Sequence, residues 1–173
     1  MKPIRDHIKK GLDVLFVGFN PSLRSGETGH HFANPTNRFW TILHQSGLTP
    51  KKYTALEDER LLDLGFGLTN IVSRPTKGAQ DITKEEYESG RVELKKKIAY
   101  YRPRIVCFVG KGVYQQFSGK RKVDWGKQAD SVVAGTIDFV APSSSGLVRM
   151  KTDEIAAIYH ELARMLASLR NQS

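Results

Sequence analysis

Four short apolar runs punctuate the chain: DVLFVG (13–18), GLTNIV (67–72), RIVCFVG (104–110) and TIDFVAP (136–142), each bounded by turn residues. Their length and their β-branched and aromatic content predict buried strands. Between them the apolar spacing widens to that of a helix. NRFWTILHQSG (37–47) predicts a helix closed by Gly47, a residue suited to the left-handed position beyond a helix end. TKEEYESGRVELKKKIAYYRP (83–103) opens on Thr83 with Glu86 three residues later, the spacing of a capping box, and stops at Pro103. In a last helix starting near Thr152, Ile155, Ile158, Tyr159, Leu162, Met165, Leu166 and Leu169 recur at helical spacing and predict a core-facing stripe.

Strands alternating with helices predict an α/β fold: three layers in one domain, residues 1–173, with a central, mostly parallel sheet flanked by helices. Ligands in such folds bind beyond the carboxyl ends of the strands. The odd polar segments all fall there. Loop 19–36 follows the first strand, SRPTKGAQD (73–81) the second, KG (111–112) the third and PSSSGLVRM (142–150) the fourth. The first of these is long for a connection without structure of its own, and such connections are usually functional or disordered.

Composition narrows the picture. At 173 residues with 39% hydrophobic and 26% charged residues, the chain has the make-up of a soluble globule with a full core. Its 27 Lys+Arg against 18 Asp+Glu give a formal charge of +9, which favours anionic partners, nucleic acid first. The one cysteine, Cys107, excludes an intrachain disulfide and any multi-cysteine metal site, and its apolar surroundings predict an inert core thiol. No apolar run is long enough for a membrane span and no signal-length segment follows the N-terminus, so an intracellular protein is expected.

The candidate chemistry lies in the four loops. GFNPSLRSG lacks the Gly-Lys-Ser/Thr ending of a Walker loop, and GKG (110–112) follows a strand and can present amides to a phosphate, though so short a signal is weak. No carboxylate pair is present, which argues against a two-carboxyl glycosidase. The adjacent His30 and His31 lack the spacing of metal ligands, and Ser143–Ser145 lack a nucleophile elbow. Asn20, aromatics, hydroxyls, backbone amides and arginines remain. They suit hydrolysis of a bond whose leaving group needs little help. Uracil is one, since it departs from deoxyribose as a delocalised anion that backbone N–H groups can stabilise. The attacking water then needs orientation more than deprotonation, which an Asn carboxamide can supply. Slow chemistry is expected.

GFNPSLRSGETGHHFANPTNRFW (18–40) resembles the first active-site motif of the mismatch-specific uracil-DNA glycosylase and thymine-DNA glycosylase family. GLTNIVSRPTKGAQDIT resembles that family's middle segment, and PSSSGLVR its second motif. The similarity runs in order from about residue 11 to 165. It implies a uracil-DNA glycosylase-like fold acting without metal or cofactor on uracil, or thymine or a damaged pyrimidine, opposite guanine in double-stranded DNA. By position, Asn20 matches the water-positioning asparagine, Phe32 the aromatic that stacks on the extruded base, and the Phe19 backbone a reader of its edge. Ser22, His31, Asn70 and Ser143 complete the implied base pocket. Gly146, Leu147, Val148 and Arg149 match the loop that enters the duplex, with Leu147 as wedge and nearby backbone groups meeting the orphaned guanine. Ser22 replaces the family's usual glycine, so its hydroxyl can crowd or hydrogen-bond the base, and Asn70 replaces a lysine found in some bacterial members. A monomer associated with the nucleoid is the simplest expectation. Two other readings compete: a non-catalytic mismatch-binding module, in which Asn20 has no role, and a nucleoside- or nucleotide-processing enzyme using GKG, which needs neither Leu147 nor Arg149.

Overall fold

The computed structural model describes residues 2–172. Five strands, β1 (Val14–Gly18), β2 (Phe66–Asn70), β3 (Ile105–Val109), β4 (Gly126–Lys127) and β5 (Ile137–Ala141), form one sheet in the order β2-β1-β3-β5-β4. The pairs β1–β2, β1–β3 and β3–β5 are parallel, and only the two-residue edge strand β4 runs antiparallel. The register aligns Phe16 with Leu68 on one side and Cys107 on the other, and Cys107 in turn with Phe139. The strands predicted from the apolar runs are therefore present: β1, β3 and β5 are trimmed by a residue or two, and β2 starts one residue earlier, at Phe66, and ends at Asn70.

Side chains alternate across the sheet. Val14, Phe16, Phe66, Leu68, Ile105, Cys107 and Phe139 pack with α2 (Phe39–Gln45) and α5 (Thr152–Asn171). Leu15, Val17, Val106, Phe108 and Val140 pack with α3 (Lys84–Tyr101) and α4 (Lys111–Ser118). This double coverage is why the strands read as continuous apolar runs. Burying each large side chain contributes roughly 1.5–3 kcal/mol. The caps agree with the sequence: Thr83 Oγ1 accepts the Glu86 N–H (3.1 Å) at the start of α3, and Gly47 takes φ +85° just beyond α2. Cys107 is fully buried, and burial pushes its thiol up, out of the range of a nucleophile.

Two elements correct the sequence reading and a third adds to it. Loop 19–36 is not structureless: it carries α1 (Leu23–Thr28), begun by Ser22 and ended by Gly29 at φ +78°. KG (111–112) is no loop but the start of α4. A stretch of 3₁₀ turns, Ala55–Leu64, fills a segment whose polar composition carries little periodicity. Among the described residues no helix is long and apolar enough to cross a membrane.

Candidate active site

Because four strands run parallel, their carboxyl ends share one edge, and a cleft of about 420 Å³ opens there. Its walls come from the segments after β1, β2 and β5, with Ile4 from the N-terminal segment and Val109 from β3. The described lining holds no carboxylate and a single cation, Lys77.

Beyond β1 the backbone stays beside the chain leaving β2. Ile71 N–H donates to Gly18 O (2.9 Å), Val72 N–H to Phe19 O (2.9 Å) and Thr76 N–H to Pro21 O (3.1 Å). Asn20 is thereby delivered to two acceptors: its Nδ2 donates to Arg74 O (2.7 Å) and to Thr76 Oγ1 (2.8 Å). The Thr76 hydroxyl spends its proton on Gly78 O (2.7 Å), so it can only accept from Asn20. These partners fix which way the carboxamide faces and leave Oδ1 as an acceptor with no partner among the described residues. Arg74 is itself held by a two-pronged contact to Glu86 (2.8 Å each) and a bond to Asp81 O. The Arg74 guanidinium holds the Glu86 carboxyl down at about 2.

The Phe32 ring stacks on Phe39 at 3.8 Å and 13°, and the Trp40 indole N–H donates to Phe32 O (3.2 Å). Phe32 has φ +50°, a left-handed conformation costly for a bulky residue, so its place is imposed by these neighbours. At Gly18, at the end of β1, an added Cβ would lie 2.7 Å from Asn70 Oδ1 and 3.7 Å from the tip of Phe32. Glycine thus lets the Asn70 amide and the Phe32 ring approach one another across the cleft floor. The Phe19 ring lies against Gly110 and Gly112, where a Cβ on Gly112 would come within 2.6 Å of it. The GKG glycines make room for an aromatic side chain.

Ser22 lines the cleft, but its hydroxyl is committed elsewhere. It accepts the Ser25 N–H (3.1 Å) and lies 3.3 Å from Ser25 Oγ, which in turn accepts the Ala33 N–H (3.1 Å). The hydroxyl that was expected to meet a base thus also caps α1. His31 likewise contributes wall: its Nε2 donates to Arg5 O (2.8 Å) and its backbone N–H to Asp58 Oδ2 (2.8 Å). Burial lowers the His31 pKa, more than the Arg5 carbonyl raises it, and keeps the ring neutral. Asp58 is buried too, which pushes its carboxyl up. The contacts from His7, the His31 N–H and His30 outweigh this and hold it at about 2. His7 Nε2 and His30 Nδ1 each lie 3.0 Å from its oxygens, and the Glu59 N–H donates at 2.9 Å. His7, His31 and Asp58 place ligand-type atoms within 4.8 Å of one another, a grouping the His30–His31 spacing hid. With backbone donors already on both Asp58 oxygens, it serves as a brace behind loop 30–32.

Ser143 and Gly146 line the cleft; Val148 and Arg149 lie outside its lining. Leu147 is 94% exposed at its rim. The basic GKRK run (119–122) follows the far end of α4, about 12 Å of helix from Phe19. Arg38, Arg74 and Thr76 lie inside the quoted motifs, but their roles, like that of Asp58, were not legible in the sequence because each acts through a partner distant along the chain.

A profile of the Uracil DNA glycosylase superfamily matches residues 6–167. The fold is similar to the solution NMR structure of a candidate uracil DNA glycosylase from Methanosarcina acetivorans, with a TM-score of 0.60 and 19% identity over 94% of this chain and 98% of that one.

Proposed function

The chain belongs to the uracil DNA glycosylase superfamily, and from that premise we propose that it removes uracil mispaired with guanine from double-stranded DNA. It acts by flipping the base into the cleft and hydrolysing the N-glycosidic bond with an oriented water, leaving an abasic site. Asn20 carries this reading. Its Nδ2 is anchored by Arg74 O and Thr76 Oγ1, so the one acceptor it has left, Oδ1, can hold a water. An amide cannot take a proton at neutral pH, so the substrate supplies the driving force: the uracil anion leaves toward backbone donors, and the sugar cation draws on the DNA phosphates. The lining, free of carboxylates among the described residues, agrees with that division of labour.

Phe32 is the stacking platform for the flipped base, and Asn70, beside it, reads the base edge together with the Phe19 backbone. Leu147 fills the vacated space in the duplex, and the backbone around Gly146–Arg149 meets the orphaned guanine. The test uses end-labelled duplexes with one G·U, G·T, A·U or G·C pair, incubated with wild type or Asn20→Ala and then with alkali to cut abasic sites. Cutting at G·U that vanishes in the variant is expected, and the remaining lanes give the base and partner preference. A folded wild type that cuts none of them overturns the proposal.

A further inference from the structure

A rim loop that projects a leucine into solvent would ordinarily be mobile, and one side chain opposes that here. Arg38, at the start of α2, donates through Nη1 to Met150 O (2.9 Å) and Thr152 Oγ1 (3.3 Å). Through Nη2 it donates to Ser145 O (3.0 Å) and Val148 O (3.1 Å). Its own backbone N–H donates to Ser144 O (2.9 Å). These acceptors lie on both sides of Leu147, so one guanidinium joins the entry of the loop to its exit.

Two further observations make this a built clamp. Arg38 Nε is buried and has no hydrogen-bond partner among the described residues, a desolvation cost that loop packing alone would not select. Gly146 is pressed against the segment preceding Arg38: an added Cβ would lie 2.7 Å from Thr36 O. Within the loop, the Leu147 N–H donates to Ser145 Oγ and the Val148 N–H to Ser145 O, both at 3.2 Å. A rigid, permanently charged fork of donors with no acceptor suits a site made of converging carbonyls, and a lysine cannot match it.

We infer that Arg38 is a positioning residue for base extrusion: it presets the Gly146–Arg149 loop so that Leu147 meets the duplex already ordered. The next residue, Phe39, backs the Phe32 ring, so the wedge and the base platform share one anchor at the start of α2. The inference rests on the glycosylase reading for what the loop inserts into. Ordering a loop before binding removes an entropic cost from the bound state. Arg38 should therefore govern how much base is extruded, leaving the chemistry of extruded complexes alone.

The test measures extrusion and cleavage separately on a G·U duplex with 2-aminopurine beside the uracil, for wild type, Arg38→Met and Arg38→Lys. The expected result is a tenfold or larger loss of the extrusion signal in Arg38→Met, with cleavage per extruded complex within about twofold of wild type. Arg38→Lys keeps the charge and falls between; it also serves if Arg38→Met does not fold. Hydrogen exchange of the 144–150 peptide should quicken in both variants. Unchanged extrusion, or a loss of cleavage per extruded complex equal to the total loss, overturns the inference. Wild type that extrudes without cleaving defeats the glycosylase reading while leaving the role of Arg38 to be judged by the extrusion signal.

Discussion

The loop after β1 and the loop after β5 face each other across the cleft, yet they are held in opposite ways. The first spreads its restraint over many local contacts: the Ser22–Ser25–Ala33 relay, the Asp58 brace and the Phe32–Phe39 stack. The second gathers its carbonyls onto Arg38, which follows the first loop at the start of α2. Distributed restraint suits a pocket that must keep an amide and a ring in fixed places. Concentrated restraint suits an element that must project a side chain outward. Damage to the first should therefore be graded, apart from the atom nearest the chemistry, and damage to the second should show in DNA engagement more than in stability.

That contrast can be broken most sharply at Asn20. Asn20→Ala should slow single-turnover cleavage of G·U by roughly 10²–10³-fold, the usual loss for one preorganised polar group, with binding to the mismatch retained in a gel-shift assay. Thr76→Val, which removes only one of the two acceptors holding Nδ2, should cost about tenfold on the same assay. If the two variants lose activity equally, Thr76 does more than orient the amide.

Next in size is the platform. Phe32→Ala removes the ring that would meet the base, and aromatic–base stacking is worth about 1–3 kcal/mol. KM for a G·U duplex should rise about 10- to 100-fold while kcat falls less. Phe32→Gly should be the more stable of the two variants by thermal melting, because the left-handed backbone then carries no penalty.

The Asp58 brace should show itself in acid. A carboxyl held at about 2 contributes stability that is complete above its unfolded value near 4 and is lost as pH falls toward 2. His31 acts in the same direction. Its lowered pKa means that the unfolded chain binds a proton the folded ring refuses, so stability declines once pH drops below about 6.5. Asp58→Asn should cost about 2 kcal/mol at pH 7 by denaturant titration, and its deficit relative to wild type should shrink below pH 4. A deficit unchanged at pH 3 would mean that shape, not charge, is what the brace supplies. The smallest effect on the fold belongs to the opposite loop. Leu147→Ala should alter stability by less than about 0.5 kcal/mol, since the side chain is 94% exposed, and yet reduce cleavage of duplex substrate several-fold.

What the sequence reveals follows the range of the interactions involved. The strands were legible because each is apolar on both faces, and α3 and α5 because capping and period are local signals. α4 was hidden behind GKG, although Val113, Tyr114 and Phe117 give it a buried stripe. The two-residue β4 exists only through its pairing with β5. At the site, the order of motifs along the chain anticipated where Asn20, Phe32 and Leu147 would stand. Nothing local announced that Asn20 would lean on Thr76, 56 residues away, or that Asp58 would gather three histidines. The capping role of Ser22 was hidden because the six-residue α1 it begins has no apolar period of its own.

The buried thiol of Cys107 has a practical side. With the only native sulfhydryl sealed in the sheet and unreactive, a Leu147→Cys substitution would create a unique attachment point for a maleimide dye at the tip of the rim. Such a protein would carry its own optical gauge of contact with DNA, readable one molecule at a time.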